Sequence, residues 1–132
     1  MKHLLIILSI LLLSSPVIGD NHKGETLYMW GKYPDYVWKG FGDKETHPVY
    51  KGDVENGVPN GLGFLIFPSG SKYFGEWKDG KPNGLGILTY RYGTKYEGDF
   101  KDWVLWNGTE YDKDGNIFIK YVNGDYINPY QK

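Results

Sequence analysis

Residues of two kinds alternate along the middle of the chain. Tyr73, Gly75 and Trp77 form one set, and the intervening residues of 73–78 form a more polar one. A period of two is typical of a β-strand with one packed face. Asp-Gly and Asn-Gly in residues 78–84 supply positive-φ positions for a turn. The chain then extends again over residues 85–90, so the pattern predicts a β-hairpin.

This hairpin pattern repeats with a period of 23 residues. YKGDVENGVPNGLGFLIFPSGSK begins at Tyr50, and YFGEWKDGKPNGLGILTYRYGTK begins at Tyr73. A third unit begins at Tyr96 but has Trp103 where the first two have glycine, and it lacks one residue before Gly108. Because a lone hairpin is only marginally stable, we expect the units to stack into one elongated antiparallel sheet.

The repeat register divides the chain. A distinct apolar segment precedes it, and a Gly40-Phe-Gly42 echo of the repeat comes before Tyr50. The predicted divisions are 1–19 as a signal peptide, 20–49 as a leader and degenerate half-repeat cap, 50–117 as repeats (50–72, 73–95 and a degenerate 96–117), and 118–132 as a C-terminal capping strand and tail.

The aromatic residues of the repeats have two interpretations. Gly75 leaves a gap into which we expect a ring from the adjacent hairpin to fit. Stacked hairpins need large rings for a core, which is the favoured interpretation, but a partly open aromatic groove would bind a partner. Trp103 and Trp106 fall where the third repeat breaks its pattern. The candidate partner-binding aromatics are Tyr73, Trp77, Tyr96, Phe100, Trp103 and Trp106.

The spacing Y-x-G-x-W-x-x-G-x-x-x-G-x-G at Tyr50 and Tyr73 resembles the MORN (membrane occupation and recognition nexus) repeat. The resemblance implies an all-β fold, in which stacked hairpins form a single-layer elongated sheet, a MORN-type β-solenoid. It also implies an assembly or interaction module and does not imply catalysis. We expect no enzymatic activity and no cofactor. The expected partner is another protein, and the resemblance adds a membrane surface as a possible one.

The first nineteen residues have the layout of a signal peptide. Lys2 precedes a ten-residue apolar run at 4–13, and Pro16 and Gly19 follow it. The run is shorter than the roughly 20 residues needed to span a bilayer. We therefore expect a signal helix that is cleaved after Gly19, with export to the periplasm or extracellular space. The alternative is an uncleaved N-terminal anchor.

Composition excludes several classes of function. The 132 residues include 15 Lys+Arg and 16 Asp+Glu, so the chain has no excess of basic residues with which to bind the phosphates of a nucleic acid. The chain has no Cys, which excludes disulfides, thiolate zinc sites and cysteine nucleophiles. The five Trp, 12 Tyr and six Phe, with 19 Gly, favour turn-rich β structure instead.

Segments that resemble catalytic or metal-binding motifs have simpler explanations. Residues 75–81 match a phosphate-binding loop, but Pro82 replaces its Ser or Thr. Residues 112–116 have the acidic character of a calcium loop but the wrong spacing, so a turn is favoured. Asn107-Gly108-Thr109 is a glycosylation sequon or another turn. His22 and His47 lie on unrelated segments, which argues against a metal site.

The acidic residues of the repeats do not predict an enzyme. A glycosidase would need two convergent carboxylates, but three of the acids recur at one repeat position, which favours a solvated outer face. The acids considered are Asp53, Glu76, Asp79, Glu97 and Asp99.

Binding is therefore the expected activity. A partner protein would dock on the aromatic face or add a strand to a free edge, and self-association through the edges is possible. The alternative is a carbohydrate- or cell-wall-binding module with an aromatic groove. The sequence itself offers no polybasic patch for lipid, because acids separate Lys72, Lys78, Lys81 and Lys95.

Overall fold

The described part of the chain forms one open antiparallel β-sheet. A computed structural model describes residues 24–131, and every regular element in that range is a strand. Within those residues no helix is long and apolar enough to cross a bilayer. The strands are β1 (Glu25–Trp30), β2 (Val37–Lys39), β3 (Val49–Glu55), β4 (Val58–Ile66), β5 (Lys72–Lys78), β6 (Lys81–Thr89), β7 (Lys95–Lys101), β8 (Val104–Tyr111), β9 (Ile117–Val122) and β10 (Asp125–Ile127).

Strand order in the sheet follows the chain except at the N-terminal end. The order is β10-β9-β8-β7-β6-β5-β4-β3-β1-β2, with antiparallel neighbours throughout. The predicted fold class, stacked hairpins in a single-layer antiparallel sheet, is confirmed. The predicted signal helix at residues 1–19 lies outside the described residues.

Two-residue turns close four hairpins along one border of the sheet. They are Asn56-Gly57, Asp79-Gly80, Asp102-Trp103 and Asn123-Gly124, and all eight residues have φ between 45° and 86°. Positive φ at both central positions is the requirement of a type I′ turn, whose twist matches that of the flanking strands. Asn, Asp and Gly tolerate this conformation, which explains three of the four turns.

The turn predicted over residues 78–84 is wrong in length. It ends at Gly80, and β6 begins at Lys81. Pro82 remains in the strand because it pairs with Trp77 beside a bulge, where the ladder shifts register. Strand proline is found at such places, since it lacks the N–H that a regular ladder needs.

The buried face of the sheet, here called the core face, is filled by a continuous series of aromatic rings. Consecutive ring centroids lie 4.9–5.4 Å apart, with interplanar angles of 77–85°. Edge-to-face pairs of this kind contribute about 0.5–1.5 kcal/mol each beyond the area that they bury. In spatial order, this aromatic spine consists of Tyr50, Trp77, Tyr73, Phe100, Tyr96 and Tyr121.

Each repeat tyrosine lies across the glycines of its own hairpin. A Cβ added at Gly86 would meet Tyr73 Cε2 at 2.5 Å, which leaves room for glycine alone. The expectation that the ring over Gly75 comes from the adjacent hairpin is therefore wrong, because it belongs to Tyr73. Trp77 makes the contact between hairpins instead, and its Nε1 donates to the Gly63 carbonyl at 3.1 Å.

The spine tyrosines are fixed by their hydroxyls as well as by their rings. The hydroxyls of Tyr50, Tyr73 and Tyr96 donate to the carbonyl three residues ahead, at 2.6, 2.8 and 2.7 Å. Burial raises the pKa of each phenol well above the ordinary value of 10. Burial also raises the pKa of Tyr121, whose hydroxyl donates to Glu110.

These raised pKa values predict unfolding at alkaline pH. Below pH 10 the spine phenols are neutral in both states, so their ionisation does not affect stability. Above pH 10 the unfolded chain releases phenol protons that the folded chain keeps. The free energy of unfolding then falls by about 1.4 kcal/mol per pH unit for each such tyrosine. Circular dichroism and phenolate absorbance, recorded together from pH 8 to 13, would check this. Ionisation of all the tyrosines with an unchanged β spectrum would contradict it.

Candidate functional site

The structure separates the six candidate aromatics into two groups. Tyr73, Trp77, Tyr96 and Phe100 belong to the aromatic spine and are at most 3% exposed. Trp103 and Trp106 are half-buried. In this conformation only the last two are accessible to a partner, and their role in binding stays a prediction.

Trp103 occupies a backbone position that favours glycine. It is the second central residue of the turn between β7 and β8, with φ of 77°, where the other three turns have Gly57, Gly80 and Gly124. A bulky residue in this conformation is an outlier and costs on the order of 1–3 kcal/mol. Such strain persists only where surrounding contacts fix the residue.

Aromatic rings from three parts of the chain hold the Trp103 indole. Its ring lies edge-on to Trp77 at 5.8 Å, Tyr36 at 6.1 Å and Phe67 at 6.4 Å. Its Nε1 donates to the Tyr36 hydroxyl at 2.7 Å. That hydroxyl donates in turn to the Gly80 carbonyl at 2.9 Å. The indole is therefore clamped between the repeats and the N-terminal segment.

The N-terminal segment 31–39, including β2, covers part of the core face. Trp38 packs against Tyr50 and Trp77, both at 5.9 Å, and its Nε1 donates to the Gly80 carbonyl at 3.2 Å. The repeat register does not extend to this segment, so sequence reasoning did not identify Tyr36 or Trp38. The only signal available was aromatic residues outside the repeats.

An apolar cleft lies where this segment meets the Trp103 turn. Its volume is about 350 Å³, and its lining is Met29, Tyr33, Tyr36, Trp103 and Val104. Tyr33 and Val104 are 65% and 47% exposed and form its rim. Because the indole N–H and the Tyr36 hydroxyl are already hydrogen-bonded, the inner wall presents mainly carbon to an occupant.

Trp106 does not belong to this cleft. Lys101 Nζ lies 4.0 Å from the centroid of the Trp106 ring. Lys101 follows the core residue Phe100, so its side chain leaves β7 on the opposite face. The ring also packs against the Gly124 turn. The two candidate tryptophans of the third repeat therefore lie at separate places.

The repeated carboxylates have a structural role. Asp53 Oδ2 accepts a hydrogen bond from the Leu62 amide at 2.9 Å, and Glu76 Oε2 accepts one from the Leu85 amide. Both amides adjoin the bulges where the ladder changes register. The recurrence that predicted a solvated outer face thus has a further cause, since an acid at this position satisfies an amide that the bulge leaves without a ladder partner.

The other candidate residues also make structural contacts. The Asp112 carboxylate accepts from the amides of Asn116 and Asp114, and these bonds hold its pKa below the ordinary value. The sequon residue Asn107 lies in β8, where its Oδ1 accepts from the Asn123 amide at 2.9 Å. His47 stacks on Trp30 at 4.1 Å. His22 lies outside the described residues.

Residues 75–81 lie in β5, its turn and the start of β6, without the helix that a phosphate-binding loop requires. Within residues 24–131, no cluster of three His, Asp or Glu side chains could hold a metal ion.

Comparison with known proteins agrees with the repeat register. The family model of the MORN repeat matches residues 50–72 and 73–95. A search of the curated proteins found no match. The two matched segments contain the Tyr50 and Tyr73 hairpins, so the resemblance drawn from their glycine and aromatic spacing is confirmed.

The Trp103 turn predicts an unusual order of stability. Trp103→Gly and Trp103→Ala remove the same indole contacts, but only glycine adopts a φ of 77° freely. We expect the glycine variant to be more stable by about 1 kcal/mol. Trp106 is a matched control because its φ is not positive. At that position the alanine variant should be more stable than the glycine variant by about 0.5–1 kcal/mol. Denaturant unfolding of the four variants measures both differences. The same order at both positions would contradict the assigned strain.

Proposed function

We propose, on the basis that this chain is a MORN-repeat protein, that it is an exported, non-enzymatic binding module. Its cleft beside Trp103 would take an apolar side chain of a partner protein. MORN repeats are consistent with a protein-binding or membrane-association role. The observation that carries the more specific proposal is the strained Trp103 turn, clamped by Tyr36 at the wall of the cleft.

Strain at this turn supports a binding role. The other three type I′ turns have glycine at the same position, so the fold does not need tryptophan there. Its contacts with Tyr36 and Trp77 keep the indole in place without a ligand. A rigid aromatic wall loses little entropy when a partner binds, which is how preorganised sites gain affinity. Buried tryptophan and tyrosine are also the residues that most often dominate interface energetics.

The chemistry of the cleft favours a protein side chain over a sugar. A sugar ring stacked on an aromatic also needs hydrogen-bonding groups to orient its hydroxyls, and a few placed polar groups normally provide this specificity. Here the Trp103 N–H already donates to the Tyr36 hydroxyl, and that hydroxyl already donates to the Gly80 carbonyl. An aliphatic or aromatic side chain needs no hydrogen-bond partner in the cleft, and removing its apolar surface from water favours binding.

The lining also argues against catalysis in the cleft. Among its five residues, Met29 and Val104 carry no titratable group, and Trp103 donates only to Tyr36. The pKa of Tyr36 is raised, mainly by burial, so its phenol is a poor base at neutral pH. Asp53 and Glu76 accept hydrogen bonds from bulge amides instead of forming an acid–base pair.

Peptides selected from a random phage-displayed library would test the proposed site. We expect the binders to share an apolar anchor and to bind with micromolar affinity. Val104→Arg should lower that affinity by roughly tenfold or more, because it fills the rim of the cleft with charge. Val122→Arg is the matched control, since Val122 is 48% exposed and lies on β9, outside the cleft. Isothermal titration calorimetry gives the affinities.

Two results would overturn the protein-binding proposal. One is that the selected peptides bind Val104→Arg as well as they bind the parent chain. The other is that only glycans from a panel shift the tryptophan fluorescence, with Val104→Arg abolishing that shift, which would assign the cleft to carbohydrate.

Export has a separate test. It is supported by the apolar run at residues 4–13 with Pro16 and Gly19 after it. We expect N-terminal sequencing of the protein from the periplasmic or extracellular fraction to begin at Asp20. A chain that keeps residues 1–19 and sediments with membranes would instead show an uncleaved anchor, and a chain confined to the cytoplasm would contradict export.

A further inference from the structure

The face opposite the aromatic spine, here called the outer face, has three rows of side chains running across the strands. Strand register defines the rows, because cross-strand partners share a face. From β4 to β7 the first row is Ile66, Lys72, Thr89 and Lys95, and the middle row is Phe64, Phe74, Ile87 and Glu97. The third row consists of the pairs Leu62–Glu76 and Leu85–Asp99, which are joined across the bulge by the Glu76 carboxylate, since its Oε2 accepts from the Leu85 amide.

The three rows differ in chemistry. The first row is basic through Lys72 and Lys95, and the third is acidic through Glu76 and Asp99. The middle row is apolar over β4–β6, where the Phe64 and Phe74 rings lie 4.3 Å apart. Phe64 is 47% and Ile66 is 42% exposed. The outer face therefore has a hydrophobic strip along its middle row, with opposite charges on the two sides of the strip.

We propose that this outer face is the interface of a symmetric dimer with a second copy of the chain. A two-fold axis that lies in the interface and runs along the middle row exchanges the first and third rows. Each residue of the first row then faces the third-row residue of the same strand in the other copy. Lys72 faces Glu76 of the second copy, and Ile66 faces Leu62. The strip is thus complementary to itself, as an isologous interface requires.

The dimensions of the sheet agree with this arrangement. Packed sheets lie about 10 Å apart, a gap that a lysine and a glutamate side chain span together. Charged residues lie at both ends of the middle row, Lys51 on β3 and Glu97 on β7, and each would face its own copy, of the same charge, across the axis. Glu97 is 7% exposed and neutralised by Lys95, whose Nζ lies 2.8 Å from its Oε1. Twisted sheets diverge away from the centre of contact, which separates the two copies of Lys51.

A second copy fits this face better than a membrane does. Membrane-binding surfaces present cations around an apolar patch, but one side of this strip is acidic. Sheet edges are weaker candidates for self-association, because β2 and β10 have three residues each, and short edge strands resist edge pairing. The patch spans four strands at about 4.8 Å spacing, less than a standard interface of about 800 Å² per partner. We therefore expect a reversible dimer in the micromolar range.

Sedimentation velocity of the protein without residues 1–19, measured over a series of concentrations, tests the dimer. We expect a monomer–dimer equilibrium, which Phe74→Ser abolishes. Lys72→Glu should raise the dissociation constant by roughly tenfold, because symmetry places two like-charge contacts in each dimer. Lys72 is exposed, and no described residue forms an ion pair with it, so this variant should fold normally. Near-ultraviolet circular dichroism checks the fold of both variants.

Matched variants locate the interface. Lys113→Glu makes the same charge change in the exposed loop after β8 and should leave the dissociation constant unchanged. Ile127→Lys at the β10 edge should also leave it unchanged. A monomer at every concentration overturns the proposal, including one that binds anionic vesicles through Phe74. A dimer lost in Ile127→Lys but kept in Lys72→Glu overturns it as well. The cleft beside Trp103 is not part of the proposed interface, so Val104→Arg should dimerise normally.

Discussion

The contact on which this fold depends is a tyrosine ring laid over the glycines of its own hairpin. The sheet has one layer, and within residues 24–131 no second sheet or helix covers its core face. Tyr73 fills the space above Gly75 and Gly86, and its hydroxyl satisfies the Glu76 carbonyl at the bulge. Trp77 then packs edge-to-face against Tyr50, the tyrosine of the preceding hairpin. Each hairpin alone would bury little, but this interlocking turns local contacts into a continuous core, as in other repeat proteins.

Much of this architecture could be predicted from the sequence, because glycine and aromatic residues recur in register. Strand alternation, the hairpin unit and the stacking of hairpins all follow from residues 50–95. The source of the ring over Gly75 could not, since spacing does not say whether a tyrosine folds back on its own hairpin. The length of the turn could not be predicted either, because Pro82 and Asn83 have turn chemistry but lie beside a bulge, within β6.

The candidate site was harder to predict, because it combines a repeat irregularity with a segment outside the repeats. Trp103 could be singled out where glycine was expected. Its partner Tyr36 is 67 residues away in the chain, and no periodicity connects them. The pairing needs the N-terminal segment to fold over the core face, which depends on tertiary packing by Trp38 and not on local propensity.

The two faces of the sheet therefore present different surfaces for interaction. Among the described residues, the N-terminal segment covers part of the core face and the spine is buried, while the cleft beside Trp103 is open at that side. On the outer face, the Glu76 carboxylate that flanks the apolar strip accepts a hydrogen bond from the Leu85 amide beside the bulge. Since Glu76 serves both a bulge and the charge pattern of the outer face, the residues that shape each hairpin also determine what that face can pair with.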